Sequence, residues 1–131
     1  MEEAIIASLL AMPDIASLAD TRVYPGSRPQ GSPLPAVVFN RIDGAPLYGD
    51  EGELGVAQSR IQIDCWADTY AGAKGLARAV NSGLSAFVGE ASGTQFLSIF
   101  TEAERDLREA GANAAAYPFR TSIDFIVWHR T

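Results

Sequence analysis

The chain has 131 residues, 47% hydrophobic and 20% charged, which suits one domain able to bury about two-thirds of its unfolded surface without staples and excludes wholesale disorder. Sixteen acidic against ten basic residues leave a formal charge of −6, the wrong sign for a protein that grips nucleic-acid phosphates. No apolar run approaches the roughly 20 residues that span a bilayer; Glu2 and Glu3 stand where a secretory signal carries lysines; and a single cysteine makes no internal disulfide, as fits a reducing cytoplasm.

Taken in chain order, Glu2 to Met12 carries Ile5, Ile6, Leu9 and Leu10 on one side and acids in its first turn, where they oppose the helix dipole. It reads as a short helix, interrupted by Pro13 and Asp14. One more turn is expected from Ile15 to Leu18 with Asp14 as its cap. After Arg22-Val23-Tyr24, the segment Pro25 to Pro35 holds four prolines and two glycines and predicts a flexible extended arm. Ala36 to Asp43 predicts the first long strand. Gly44 to Gly55, with four glycines and the acids Asp50, Glu51 and Glu53, is expected to be a flexible acidic loop.

The most informative stretch is Ser59 to Val80. Ile61, Ile63 and Cys65 alternate with Gln62, Asp64 and Trp66, the period of a strand with one buried face. From Ala73 onward the apolar residues Leu76, Ala77, Val80, Leu84, Phe87 and Val88 recur at helical steps. Asp68 and Thr69 between them offer caps for a helix from Thr69 to Val88, and Gly89 to Gly93 closes it with a left-handed turn. Gln95 to Glu104 reads as a third strand, alternating Phe96, Ser98 and Phe100 against Leu97, Ile99 and Thr101. Asp106 to Ala116 reads as the loop leading to a last strand, Tyr117 through His129. That strand is apolar on both faces, which places it near the sheet centre. The sum is a single α+β domain over residues 1–131, a mainly antiparallel sheet of about four strands with two helices on one face.

Chemistry-bearing motifs are sparse. Gly72-Ala73-Lys74-Gly75 lies within the helical stripe, where its glycines permit close packing and do not form a phosphate cradle. One histidine and one cysteine do not supply a metal site, and no cofactor is implied. Cys65 and His129 are the one pair able to imitate a thiol nucleophile and its base; the plainer reading puts Cys65 in the core and His129 at a fraying chain end. Asp64 and Asp124 interrupt apolar strands and could work as paired acids, but such acids more often sit on the solvent or subunit face of a sheet.

Two features point to a partner surface. Trp66, Trp128, Ile126 and Tyr117 fall on the second face of their strands if Ile61, Ile63, Phe125 and Val127 face the helices. Such a face is either an interface or half of a local two-sided core. The Pro25 to Pro35 arm and the Gly44 to Gly55 loop are too polar to pack on themselves and long enough to reach a neighbour. Arg22, Arg28, Arg41, Arg60 and Arg130 are candidate interface cations or simply solvated.

In order along the chain, Leu9-Leu10-Ala11, Asp20-Thr21-Arg22-Val23-Tyr24-Pro25-Gly26, Pro33-Leu34-Pro35-Ala36-Val37-Val38, Arg60-Ile61-Gln62-Ile63-Asp64-Cys65-Trp66-Ala67-Asp68-Thr69-Tyr70 and Phe119 through Trp128 resemble the tail completion, or tail-to-head joining, family of long-tailed bacteriophages and their domesticated relatives in gene transfer particles. The resemblance implies a structural virion protein and not an enzyme: a tail terminator-like subunit of a homo-oligomeric ring, six-fold by analogy, at the neck of the virion. Assembled in the bacterial cytoplasm, such a ring caps the tail tube protein, meets the head-tail connector protein, and lets DNA pass through its lumen without specific binding or membrane contact. Under that reading Trp66, Tyr117, Ile126, Trp128, Arg28 and Arg41 are candidate subunit-interface residues, and Asp50, Glu51 and Glu53 line the lumen or a docking face. The alternatives are a head-side connector or minor tail component, or a small monomeric ligand-binding α+β domain.

Overall fold

A computed structural model describes residues 1–108 and 118–131. Along the chain run α1 (Glu2–Ala11), α2 (Pro13–Ala19), β1 (Val23–Pro25), β2 (Ala36–Gly49), β3 (Gly52–Ala67), α3 (Tyr70–Leu84), β4 (Gly89–Ala91), β5 (Thr94–Arg108) and β6 (Phe119–Arg130). The strands form one sheet of order β1-β2-β3-β6-β5-β4. Every pairing is antiparallel except β1 with β2. The α+β class and the central place of the last strand therefore agree with the sequence, while six described strands and three helices replace about four and two.

β3 and β6 form the spine. They pair without a slip from Val56 opposite Arg130 to Ala67 opposite Phe119, so Ile61, Ile63 and Cys65 align with Phe125, Ile123 and Thr121 on one face. Ile5 and Leu9 of α1, Ile15 of α2 and Leu76, Ala77, Val80 and Leu84 of α3 cover that face in one continuous core. Each such large side chain contributes about 1.5–3 kcal/mol on burial. α3 starts where its cap residue dictates: the Thr69 side chain accepts a hydrogen bond from the Gly72 amide at 3.0 Å, satisfying one orphan donor of the first turn. The helix stops at Leu84, one turn before the Val88 that the apolar stripe suggests. Ala86 turns to a φ of 63°, which a helix does not accommodate, and Val88 is exposed.

Several short-range departures have local causes. α2 begins at Pro13 with Met12 as its N-cap, so Asp14 lies inside the first turn and does not cap it; a proline suits the first helical position because its missing N–H had no partner there. β4, expected as a helix-ending turn, pairs with β5 through a two-residue turn at Ser92-Gly93, both at positive φ, the geometry that matches strand twist. In β5 the simple alternation fails because bulges fall between Phe96 and Ser98 and between Thr101 and Ala103. Phe96 and Ile99 both reach the core while Phe100 points out, 55% exposed. β5 also continues through Asp106, Leu107 and Arg108, which removes the start of the expected Asp106 to Ala116 loop; residues 109–117, Tyr117 among them, lie outside the described residues.

The largest difference concerns Gly44 to Gly55. It is a hairpin and not an irregular loop: Ala45 pairs with Gln58, Tyr48 with Glu53 and Gly49 with Gly52, leaving Asp50 and Glu51 as the turn. Neither β1 nor β6 supports it, because their pairing ends at Phe39 and Val56. The sequence disguises these strands because Pro46 and the glycines are strand-breaking signals. They are tolerated where β2 has no outer neighbour, as at an edge.

Candidate interaction surface on the open sheet face

The helices cover one face of the sheet, and the other is built from the alternate residues of β2, β3, β6 and β5. Its centre is charged. Asp124 on β6 accepts from Arg60 Nη2 on β3 at 2.9 Å and from both terminal nitrogens of Arg105 on β5 at 3.2 Å. Arg60 also reaches Glu102 at 3.2 Å. One register step away, Asp64 accepts from Gln62 at 3.0 Å and faces Arg120 at 3.7 Å. Covered by these long side chains, Asp64 and Asp124 are only 5% and 6% exposed. Burial by itself pushes the Asp124 carboxyl up, but the hydrogen bonds and charges of Arg105 and Arg60 prevail and hold it below the usual carboxylate range. Hydrogen bonds to Asp124 and Glu102 in turn raise the Arg60 guanidinium above its usual value.

This overturns the expectation of an apolar second face. Ile126 and Trp128 do sit on the open face, half-buried, beside exposed Phe100, but they form only one end of it. Trp66 occupies the opposite end, 9% exposed. Arg120 stacks on its ring at 5.1 Å, and Arg28, from the segment between β1 and β2, does so at 5.5 Å. Arg28 is itself tied down by its Nη1 donating to the Ser32 carbonyl at 3.1 Å. The Pro25 to Pro35 arm thus folds back over Trp66. Gly26, Ser27, Arg28, Val38, Asn40, Gln62, Asp64, Trp66 and Arg120 line an open groove there. Two buried polar atoms, Trp66 Nε1 and Ser122 Oγ, have no hydrogen-bond partner among the described residues, and both residues lie on this face.

The remaining candidates scatter. Arg41 lies opposite Ile61, toward the helices, and pairs with Glu2 at 3.6 Å, so it belongs to a different surface from Arg28. Arg22 donates from Nε to the Pro35 carbonyl at 2.8 Å and braces the arm, whereas Arg130 is exposed. Asp50, Glu51 and Glu53 are exposed at the hairpin end. Tyr117 is outside the described residues.

The thiol and imidazole do not meet. Cys65 lies opposite Thr121 and His129 opposite Ala57, eight positions apart along the spine, or about 26 Å at strand rise. Cys65 is fully buried, and desolvation pushes its thiol far up, away from a reactive thiolate. His129 is not a fraying end: it is buried, with Nε2 3.1 Å from the Ser59 hydroxyl and Nδ1 3.2 Å from the Arg130 carbonyl. Asp64 and Asp124 are diagonal neighbours but are engaged by arginines, not poised as an acid and base. Among the described residues no three His, Cys, Asp or Glu side chains converge on a metal position, and no helix is long and apolar enough to cross a membrane.

Sequence reasoning missed Arg105 and Arg120 as builders of this surface. Arg120 was in principle readable, because it stands opposite Trp66 once the β3–β6 register is set. Arg105 was not, because the bulge after Thr101 shifts its face.

What the fold presents is an open sheet face built of ion pairs and of arginines stacked on a tryptophan. Comparison with known families makes the class specific. The chain matches Tail completion protein gp17 over residues 3–130 and belongs to that family, which makes it a structural, non-enzymatic component of the virion tail. No curated protein sequence matches it. Among solved structures it is similar to a chain of the virion of a native gene transfer agent particle, with a TM-score of 0.80 and 22% identity, covering 100% of this chain and 95% of the other. That likeness supports the shared fold along the whole length.

Proposed function

We propose that this protein is a ring subunit at the neck of a phage or gene transfer particle, capping the tail tube, presenting a surface to the head connector and letting DNA pass through. The observation that carries the reading is the family match across residues 3–130. The fold shared over both chains with a component of a gene transfer agent virion supports it. Physical features agree with the role. An open sheet face armed with arginines and stacked tryptophan suits heterologous contacts, in which different patches of one subunit meet round a closed circle. The six-fold order and the tube and connector as partners follow from the family resemblance. The net charge of −6 suits a ring whose lumen DNA passes without adhering. Trp66, Trp128, Ile126, Tyr117, Arg28 and Arg41 are the proposed subunit contacts, and Asp50, Glu51 and Glu53 are charges of the lumen or of a docking face.

The test is negative-stain imaging of particles made with and without the gene. Tails of uncontrolled length in its absence support termination, and normal tails detached from filled heads support joining. Intact, infectious particles without the gene refute the structural role. Binding of the purified chain to isolated tube ends separates a terminator from a head-side or minor tail component.

A further inference from the structure

The hairpin turn and the arginine-lined groove lie at opposite ends of β3, and they are chemically complementary. Gly52 begins the strand beside the turn and Trp66 stands at its far end; fourteen steps of strand rise separate them by about 45 Å. No bending of one chain brings them together. At the hairpin end, Asp50 and Glu51 form an exposed acidic turn between exposed Tyr48 and Leu54. No ion pair engages either acid among the described residues. A two-stranded ribbon this bare is marginal by itself in water and is expected to rest on something. At the other end, Arg28 is a cation without a carboxylate partner among the described residues, and Arg120 faces only Asp64 at 3.7 Å. In a chain of net charge −6, this groove holds two arginines against one aspartate. Its Trp66 also carries a buried Nε1 donor with no acceptor among the described residues, an unpaired donor that favours an incoming acceptor.

We propose that the acidic turn of one copy docks in the Arg28–Trp66–Arg120 groove of the next copy, Asp50 and Glu51 pairing with the two guanidiniums and a carboxylate under the arm taking up the Trp66 N–H. The occupant is a second copy of this chain because the ligand and its receptor are both present in every chain, at ends that cannot meet within one. Such a head-to-tail contact either closes into a ring or runs on as a filament. The inference rests on the ring reading above and names the contact that builds the ring. It assigns Asp50 and Glu51 to subunit docking instead of the lumen. Glu53 takes no part, because it lines a separate hollow together with Met1, Glu2 and Arg41.

The experiment replaces the gene in the producing particle with a chain carrying Arg28→Cys and Glu51→Cys. Particles are purified, oxidised and resolved without reductant. A ladder of chain-only multimers, absent from either single variant, is the expected result. Several copies per particle with no ladder overturn the docking and leave the ring standing, and a bridge from Arg28→Cys to a different particle protein likewise overturns it. One copy per particle overturns the ring and the docking together. A charge exchange supplies the second reading without touching the core: Arg28→Glu is expected to lower incorporation about tenfold or more, and adding Asp50→Arg with Glu51→Arg to restore most of it. Equal loss in the single and the combined variants also overturns the proposal.

Discussion

The β3–β6 spine and the β2–β3 hairpin beyond Val56 share a strand yet are held by different physics. Along the spine β3 has strand neighbours on both sides from Ala57 to Trp66, one face lies under three helices, and the other is laced by Arg60, Arg105 and Arg120. Past Val56 the same strand has only β2 beside it, and Tyr48 and Leu54 are 66% and 60% exposed. The spine is stable because of what this chain buries; the hairpin is the part that leaves its apolar side chains exposed. One strand therefore carries both the scaffold and its reach, and mutations along it should divide into those that unfold the chain and those that only isolate it.

The largest effect is expected at Phe125, which is fully buried. Phe125→Ala removes a ring from the middle of the core and should cost about 3–5 kcal/mol, read as a drop in the urea midpoint at unchanged slope. A loss under 1 kcal/mol would break the division at its firm end.

Next comes the open face. Asp124→Asn keeps the shape but leaves Arg105 without its charge partner and Arg60 with Glu102 alone, at about 1–3 kcal/mol. The pH dependence has a definite sign. Asp124 and Asp106 are both held below the usual value of 3.8, against the upward push of burial: the first by Arg105 and Arg60, the second by hydrogen bonds from Thr121, Lys74 and Tyr70. A lowered folded pKa adds stability that is present above the unfolded value and disappears as the pH falls through the folded one. The urea midpoint should therefore hold near neutrality and fall below about pH 4. Asp124→Asn should flatten that fall. An equally steep fall in the variant would remove Asp124 from the account.

A smaller effect is expected at the helix start. Thr69→Ala deletes the acceptor for the Gly72 amide and should cost about 1 kcal/mol. Amide exchange should quicken in the first turn of α3 and not in β6.

How much of this was legible follows from the same division. Where one face is buried and pairing is regular, the residue pattern reads directly: Ile61, Ile63 and Cys65, the Ala73 to Leu84 stripe and the Thr69 cap stand where the alternation and spacing put them. Where pairing slips, as at the β5 bulges, alternation misassigns faces, and Phe100 and Arg105 are lost to a one-residue shift. The hairpin was illegible for another reason. Glycines, Pro46 and acids signal a loop, and its pairing comes from continuing the register of two established strands, not from any hydrophobic face. The open face was legible by position and not by character: Ile126, Trp128 and Trp66 do lie on it, but the arginines that separate them come from three different strands.

The smallest effect on the isolated chain is expected where the effect on assembly is greatest. Tyr48→Ser with Leu54→Ser alters two side chains that bury little within the chain, so the urea midpoint should move by no more than about 0.5 kcal/mol equivalent. In the assembled particle the same side chains flank the docking turn, and their loss should weaken incorporation even though the monomer folds as before. A variant that lost stability by itself would show that the hairpin packs on its own chain after all, and would remove the contrast between spine and overhang. A variant neutral in both settings would show that Asp50 and Glu51 dock without apolar support, which leaves charge as the sole basis of the contact and makes its salt dependence the next thing to measure.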